Sequence, residues 1–161
     1  MRIGIVSDTH NHLRNVSRIV ELFAGAKVDR VVHTGDITQA KPLEPFAGLD
    51  APLFGVYGNN DLERESLEST AERLGLHLVD PPLHLEWAER RIVVVHDPRE
   101  LTPDRLQGSD VALHGHDHRR TLARRHGALV LNPGECAGHV PGLNAVAVLD
   151  LASLETELLE F

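Results

Sequence analysis

Five aliphatic runs along this chain each end in a short stretch of acids, amides or imidazoles, and any fold must accommodate that pattern. The run at 2–6 (RIGIV) leads into Ser7-Asp8-Thr9-His10, and the run at 29–33 (DRVVH) into Thr34-Gly35-Asp36. The run at 51–57 (APLFGVY) leads into Gly58-Asn59-Asn60-Asp61. The run at 90–95 ends at His96, and that at 110–113 leads into His114-Gly115-His116-Asp117-His118. Apolar runs of this length read as buried strands. In open α/β sheets ligands bind beyond the carboxyl ends of the strands. The pattern therefore predicts one sheet edge to which five strands deliver polar side chains.

Between the strands the periodicity changes. Leu13, Val16, Ile19, Val20 and Phe23 recur at helical spacing, with Asn11 placed as an N-cap. A short helix is predicted over 42–48, where Pro42 suits a first turn, and another around Leu67, Ala71 and Leu74, closed by Gly75. From about residue 76 strands dominate: 83–87 paired with 90–96, then 110–114, RTLARR and 128–132, with Thr102 capping a short helix on the way. The runs at 143–151 and 154–161 make a terminal hairpin around Ala152-Ser153. A parallel βαβαβα first half and a β-rich second half suggest two sheets packed face to face with helices outside. No internal repeat or linker interrupts 1–161, so the chain reads as one domain.

The composition narrows the partners. The formal net charge of −8 weighs against a surface for long nucleic acid, which selects basic faces. It is compatible with a small phosphorylated ligand if a cation reverses the local field. Cys136 is the only cysteine, which fits a reducing compartment, and no stretch is long and apolar enough to cross a bilayer. The expected location is the cytoplasm. A homo-oligomer is compatible with the sequence, which sets no number.

Three histidines within 114–118 leave open a surface accident, a pH-sensitive turn, or half of a metal site. Each motif alone has a plain reading as a turn or cap. Together they supply seven ligand-type groups: Asp8, His10, Asp36, Asn59, His96, His116 and His118. Glycines 35, 58 and 115 precede them and allow close backbone approach. Mixed carboxylates and imidazoles suit a borderline divalent metal better than Ca or Mg. Seven groups exceed one four-coordinate site and suit two metals bridged by a carboxylate. Without metal they would be hard to satisfy at an apolar sheet edge.

The ordered set DTH (8–10), GD (35–36), GNND (58–61), His96 and GHDH (115–118) resembles the calcineurin-like metallophosphoesterase superfamily, in particular its small bacterial and archaeal phosphodiesterases. The resemblance runs from residue 3 to about residue 134 and takes in NPGE (132–135). It implies a four-layer α/β/β/α sandwich of two mixed sheets. It implies that Asp8, His10 and His118 hold one metal and Asn59, His96 and His116 a second, with Asp36 bridging. His114 would lie behind the ligands.

The implied activity is hydrolysis of phosphodiester, or phosphomonoester, bonds by a metal-bridging hydroxide. The implied cofactors are two divalent transition metals, Mn foremost, with Ni, Fe, Co or Zn as alternatives. Asp36, Asn59 and Asn60 are the residues expected to act in catalysis, and the partner is a small phosphate ester. A protein-binding scaffold of the same fold, as in the retromer subunit that resembles this family, and a nuclease on short nucleic acid are the competing readings.

Three positions depart from the pattern. Asn60 stands where many relatives have a histidine that protonates the leaving group, with His12 and His139 as candidates to take over. Asp97 stands where glycine is usual, and Glu135 where serine is usual. Both acids are expected to be solvated loop residues.

Overall fold

The computed structural model describes residues 1–140 and 142–161. Four strands, β1 (Arg2–Val6), β2 (Arg30–His33), β3 (Leu53–Val56) and β4 (His77–Val79), run parallel. Beside β1 the sheet is completed by the antiparallel hairpin β10 (Ala145–Asp150) and β11 (Thr156–Glu160), giving the order β11-β10-β1-β2-β3-β4. The second sheet contains β5 (Leu83–Trp87), β6 (Arg90–Val94), β7 (Val111–Leu113), β8 (Thr121–Arg125) and β9 (Ala128–Asn132). Its order is β5-β6-β7-β9-β8, with β6, β7 and β9 parallel and the outer strands antiparallel.

The two sheets bury a shared layer that includes Ile3, Ile5, Val32, Ile92, Val94, Leu113, Leu131 and Leu149. Alternate residues of the same strands face outward, as the two-residue period of a strand requires. On the first sheet these meet α1 (Leu13–Ala26), which buries Val16, Ile19 and Phe23 against Val31, Val146 and Val148. The 3₁₀ helix Lys41–Gly48 and α2 (Arg64–Leu74) cover the other end through Leu43 and Leu67, packed with Ile37 and Tyr57. On the second sheet Val93, Val95, Ala112 and Val130 lie under Leu101 and Leu106, the latter from α3 (Pro103–Gln107). The layers are therefore α/β/β/α, and both sheets are mixed.

Two local expectations need correction. The N-cap of α1 is His12, whose Nδ1 accepts from the Asn15 amide at 3.3 Å. Asn11 has φ +62, and a capping residue needs extended backbone. The three-residue strand β4 follows directly on the Gly75 cap and was not expected. Thr102 does cap α3, through the Arg105 amide. Among the described residues no helix is long and apolar enough to cross a membrane.

The parallel ladder between β1 and β2 continues past the strand ends. Asp8 N–H donates to Gly35 O, His10 N–H to Asp36 O and Asn11 N–H to Ile37 O, each at 3.0 Å. In the second sheet Gly115 N–H donates to His96 O at 3.0 Å. These bonds hold the polar loops of both sheets at one end of the sandwich.

Candidate metal centre

All seven ligand-type residues meet at that end. On one side His118 Nε2 lies 3.3 Å from Asp8 Oδ1 and 3.3 Å from His10 Nε2, and His10 Nε2 lies 3.8 Å from Asp8 Oδ1. On the other side His96 Nε2 lies 3.1 Å from Asn59 Oδ1 and 3.3 Å from His116 Nδ1. Asp36 stands between them, with Oδ2 3.5 Å from His10 Nε2 and Oδ1 3.3 Å from His96 Nε2. Two overlapping groups of acids and imidazoles are close enough to hold an ion: Asp8, His10 and His118, and Asp8, Asp36 and His96.

The donor set fits divalent transition metals. Asp8 and Asp36 are buried, yet neither meets a Lys or Arg side chain in an ion pair among the described residues. Several lone-pair atoms point at one another with few protons to share between them, an arrangement that a cation satisfies directly. The backbone is shaped for it as well. A Cβ on Gly58 would overlap Asp36 Oδ1, and one on Gly115 would lie 2.6 Å from Asp8 Oδ2. Only glycine lets these loops come so near the two carboxylates.

The surrounding bonds orient the donors. His96 Nδ1 donates to Thr34 O at 2.8 Å, so in the neutral ring Nε2 carries the lone pair and faces the site. Thr34 Oγ1 donates to Ser7 Oγ at 2.6 Å, and Ser7 Oγ donates in turn to Asp8 Oδ2. The His116 amide donates to both Asp8 oxygens, at 3.1 Å to Oδ2 and 3.3 Å to Oδ1, and Oδ1 is the atom turned to His10 and His118. Asp61 accepts from the amides of Gly58 (2.7 Å), Thr38 (2.6 Å) and Asp36 (3.1 Å), tying the loop after β2 to the loop after β3.

Charge follows from these contacts. Burial would push the Asp36 carboxyl up, but hydrogen bonds from His96 and Asn60 outweigh it and hold it well below the usual carboxylate range. Burial works against a proton on His96 as well, and the Asp36 carboxylate reverses this and raises it. The bond to Asp8 raises His118, whereas burial lowers His10. Protons and cations therefore compete for His96 and His118.

The departures resolve differently. Asn60 donates to both oxygens of Asp36. Asp97 is half-buried, pairs with Arg99 and lies 3.9 Å from His116 Nε2. Its hydrogen bonds with the Arg99 side chain hold its carboxyl at about 2. Glu135 is buried rather than solvated, because its carboxylate accepts from the amides of Ala137 (2.7 Å) and Val140 (3.1 Å) and shapes that turn. His114 is buried behind the cluster, with Nδ1 3.1 Å from Gly115 O. His12 is occupied as a helix cap. His139 reaches the rim, stacked on His118 at 5.4 Å and 5.2 Å from the His10 ring. Asp61, Ser7 and Thr34 gave no signal as positioning residues, because each also has a partner on a loop distant in sequence: Asp61 with Thr38, Ser7 with Thr34, and Thr34 with His96.

A family model of the calcineurin-like phosphoesterase superfamily domain matches residues 1–154. The chain belongs to that superfamily. A phosphodiesterase of Methanocaldococcus jannaschii is 32% identical over 159 residues, covering 96% of each chain. The structure of an archaeal phosphodiesterase superposes with a TM-score of 0.92 at 30% identity over 100% of both chains. Entamoeba histolytica Vps29, solved with zinc, matches with a TM-score of 0.67 over 99% of both chains. At 14% identity that likeness shows the fold alone. Hydrolysis of phosphoesters is the chemistry of the superfamily, and this metallophosphoesterase carries donor groups suited to divalent metal.

Proposed function

We propose that this chain is a metal-dependent phosphodiesterase, one domain over residues 1–161, with a dinuclear centre. In this reading Asp8, His10 and His118 hold one divalent transition metal, Asn59, His96 and His116 the other, and Asp36 contributes to both. The observation that carries it is the division of Asp36: Oδ2 turns to His10 and Oδ1 to His96. Manganese is the first candidate, with Ni, Fe, Co and Zn behind it, since O/N donor sets accept all of them and availability decides. When bound, such a pair supplies an activated water for attack on phosphorus and neutralises charge on the phosphoryl oxygens.

The chain's own residues do the rest. Thr34 fixes the tautomer of His96, and the Ser7–Thr34 relay fixes the rotamer of Asp8. The side chains of His116 and His118 are 35% and 31% exposed, so substrate reaches the centre from their side. Asp97 faces that entrance, but Arg99 meets its charge, so it repels a phosphoryl group less than a free carboxylate would. The substrate is a small phosphate ester, a diester before a monoester, and the site of action is the cytoplasm.

The test is metal reconstitution with Mn, followed by metal analysis and hydrolysis of bis(4-nitrophenyl) phosphate. Two metals per chain, with both content and turnover lost in Asp36→Asn, support the reading. One metal per chain, or turnover indifferent to Asp36, would sink it.

A further inference from the structure

A cleft of about 540 Å³ adjoins the candidate centre and shares Asn59, His96 and His116 with it. That is far more room than a phosphoryl group needs, and it lies in the size range of small-molecule sites. An ester group on the phosphorus has this cleft as its neighbour. The side built by the first sheet presents Tyr57, Arg64 and Pro81. The side built by the second presents Asp97, Arg99 and Glu100.

Arg64 is held flat. Its Cζ lies 3.6 Å from the centroid of the Tyr57 ring, and its Nη2 donates to Asp80 Oδ1 at 2.6 Å. Among the described residues Nη1 is buried and meets no hydrogen-bond acceptor, so the Tyr57 ring and its surroundings cover that end of the guanidinium. Tyr57 is only 4% exposed, so the guanidinium covers it and itself lines the cleft. The charges around the cleft are already matched: Arg64 with Asp80, Arg99 with Asp97, and Glu100 with Arg105 at 3.7 Å. A second anionic group would find no unpaired cation there. A neutral, planar group would find a rigid planar cation to stack on.

We propose that this cleft holds the second ester group of a phosphodiester and that Arg64, backed by Tyr57, selects a planar ring in that group, such as a nucleobase or an aryl ring. The inference rests on the phosphodiesterase reading for its substrate and on the Tyr57–Arg64 stack for its selectivity.

Two diesters with the same leaving group test it: thymidine 5′-(4-nitrophenyl phosphate) and methyl 4-nitrophenyl phosphate. The ratio of their kcat/KM values should favour thymidine in the metal-reconstituted protein. It should fall about fivefold to tenfold in both Arg64→Ala and Arg64→Lys, since lysine keeps the charge without the plane. A ratio unchanged in Arg64→Lys would overturn the planar role. If the parent protein hydrolyses neither diester, the phosphodiesterase reading fails, and titration of thymidine 5′-monophosphate by calorimetry decides the cleft alone. Weakening of about fivefold or more in both variants supports it, and unchanged affinity in either overturns it.

Discussion

Asn60 holds Asp36 by both of its oxygens: the backbone N–H donates to Oδ1 at 2.9 Å and the side-chain amide to Oδ2 at 2.7 Å. The side chain that follows Asn59 is therefore turned to the Asp36 carboxylate and fixes its orientation. A carboxamide can donate a hydrogen bond but is no acid, so Asn60 cannot transfer a proton to a departing alkoxide.

The first prediction concerns that proton. A positioned acid is worth roughly 10²–10⁴-fold to a poor leaving group. Turnover should therefore rise steeply as leaving-group pKa falls, read from a series of substituted phenyl diesters. Asn60→Ala should also weaken metal binding by about 10–100-fold, the usual effect of losing a group that orients a ligand. A flat leaving-group series with chemistry rate-limiting would point instead to an acid at the rim, where His139 stacks on His118.

Asp61 is the second. Its carboxylate takes three backbone amides from two loops while almost fully buried. Asp61→Asn sets an NH₂ or a weaker acceptor against those donors, and should cost on the order of 2–3 kcal/mol in urea unfolding. Metal content should fall with it, because Asp36 loses its backbone anchor.

Glycine substitutions should split by location. Gly58→Ala sets a Cβ 2.5 Å from Asp36 N, and Gly115→Ala sets one 2.6 Å from Asp8 Oδ2. Each should destabilise by about 1–3 kcal/mol and reduce metal occupancy. Gly25, within α1, has nothing within 4 Å of a new Cβ, so Gly25→Ala should stabilise by up to about 1 kcal/mol. Thermal melts with metal analysis check all three.

His33 should make the metal-free protein acid-sensitive. It is fully buried between Thr9 Oγ1 and the Gly35 amide, and burial lowers it to about 4 from its ordinary 6.5. Between those values the unfolded chain holds a proton that the folded chain does not. Stability is then full above about pH 6.5 and is lost as pH falls toward 4, by on the order of 3 kcal/mol. Urea midpoints across that range, against His33→Gln, measure it.

Within the histidine cluster, His116→Ala should cost more activity than His114→Ala, because His114 bonds only Gly115 O behind the site. Asp36→Asn should cost most, since its two oxygens turn to imidazoles on opposite sides, Oδ2 to His10 and Oδ1 to His96. Relative kcat values of the three variants settle the order.

Much of this was legible because strand ends and ligand residues coincide. Short apolar runs bounded by Asp8, Asp36, Asn59, His96 and His116 announce both a sheet and the edge where it acts. What escaped depends on contacts across distance or on backbone sign. Asp61 reads as a turn residue until the loop at 36–38 is beside it. Glu135 reads as solvated until its turn folds back. Asn11 reads as a cap until its left-handed φ passes the role to His12. The strand β4 is three residues long, one exposed and two half-buried, too few for periodicity to register.

Five of the seven ligand-type residues have left-handed backbone: Asp8 (φ +51), His10 (+39), Asp36 (+58), His116 (+72) and His118 (+54). That conformation costs a non-glycine residue roughly 1–2 kcal/mol. Glycine, or often asparagine, would relax it, and either replacement removes an acid or imidazole of the proposed metal centre. In evolutionary terms, loss of the chemistry lies downhill in stability. A gene copy freed from selection for hydrolysis would drift first at these positions and would keep its sandwich as a ready-made platform for other work.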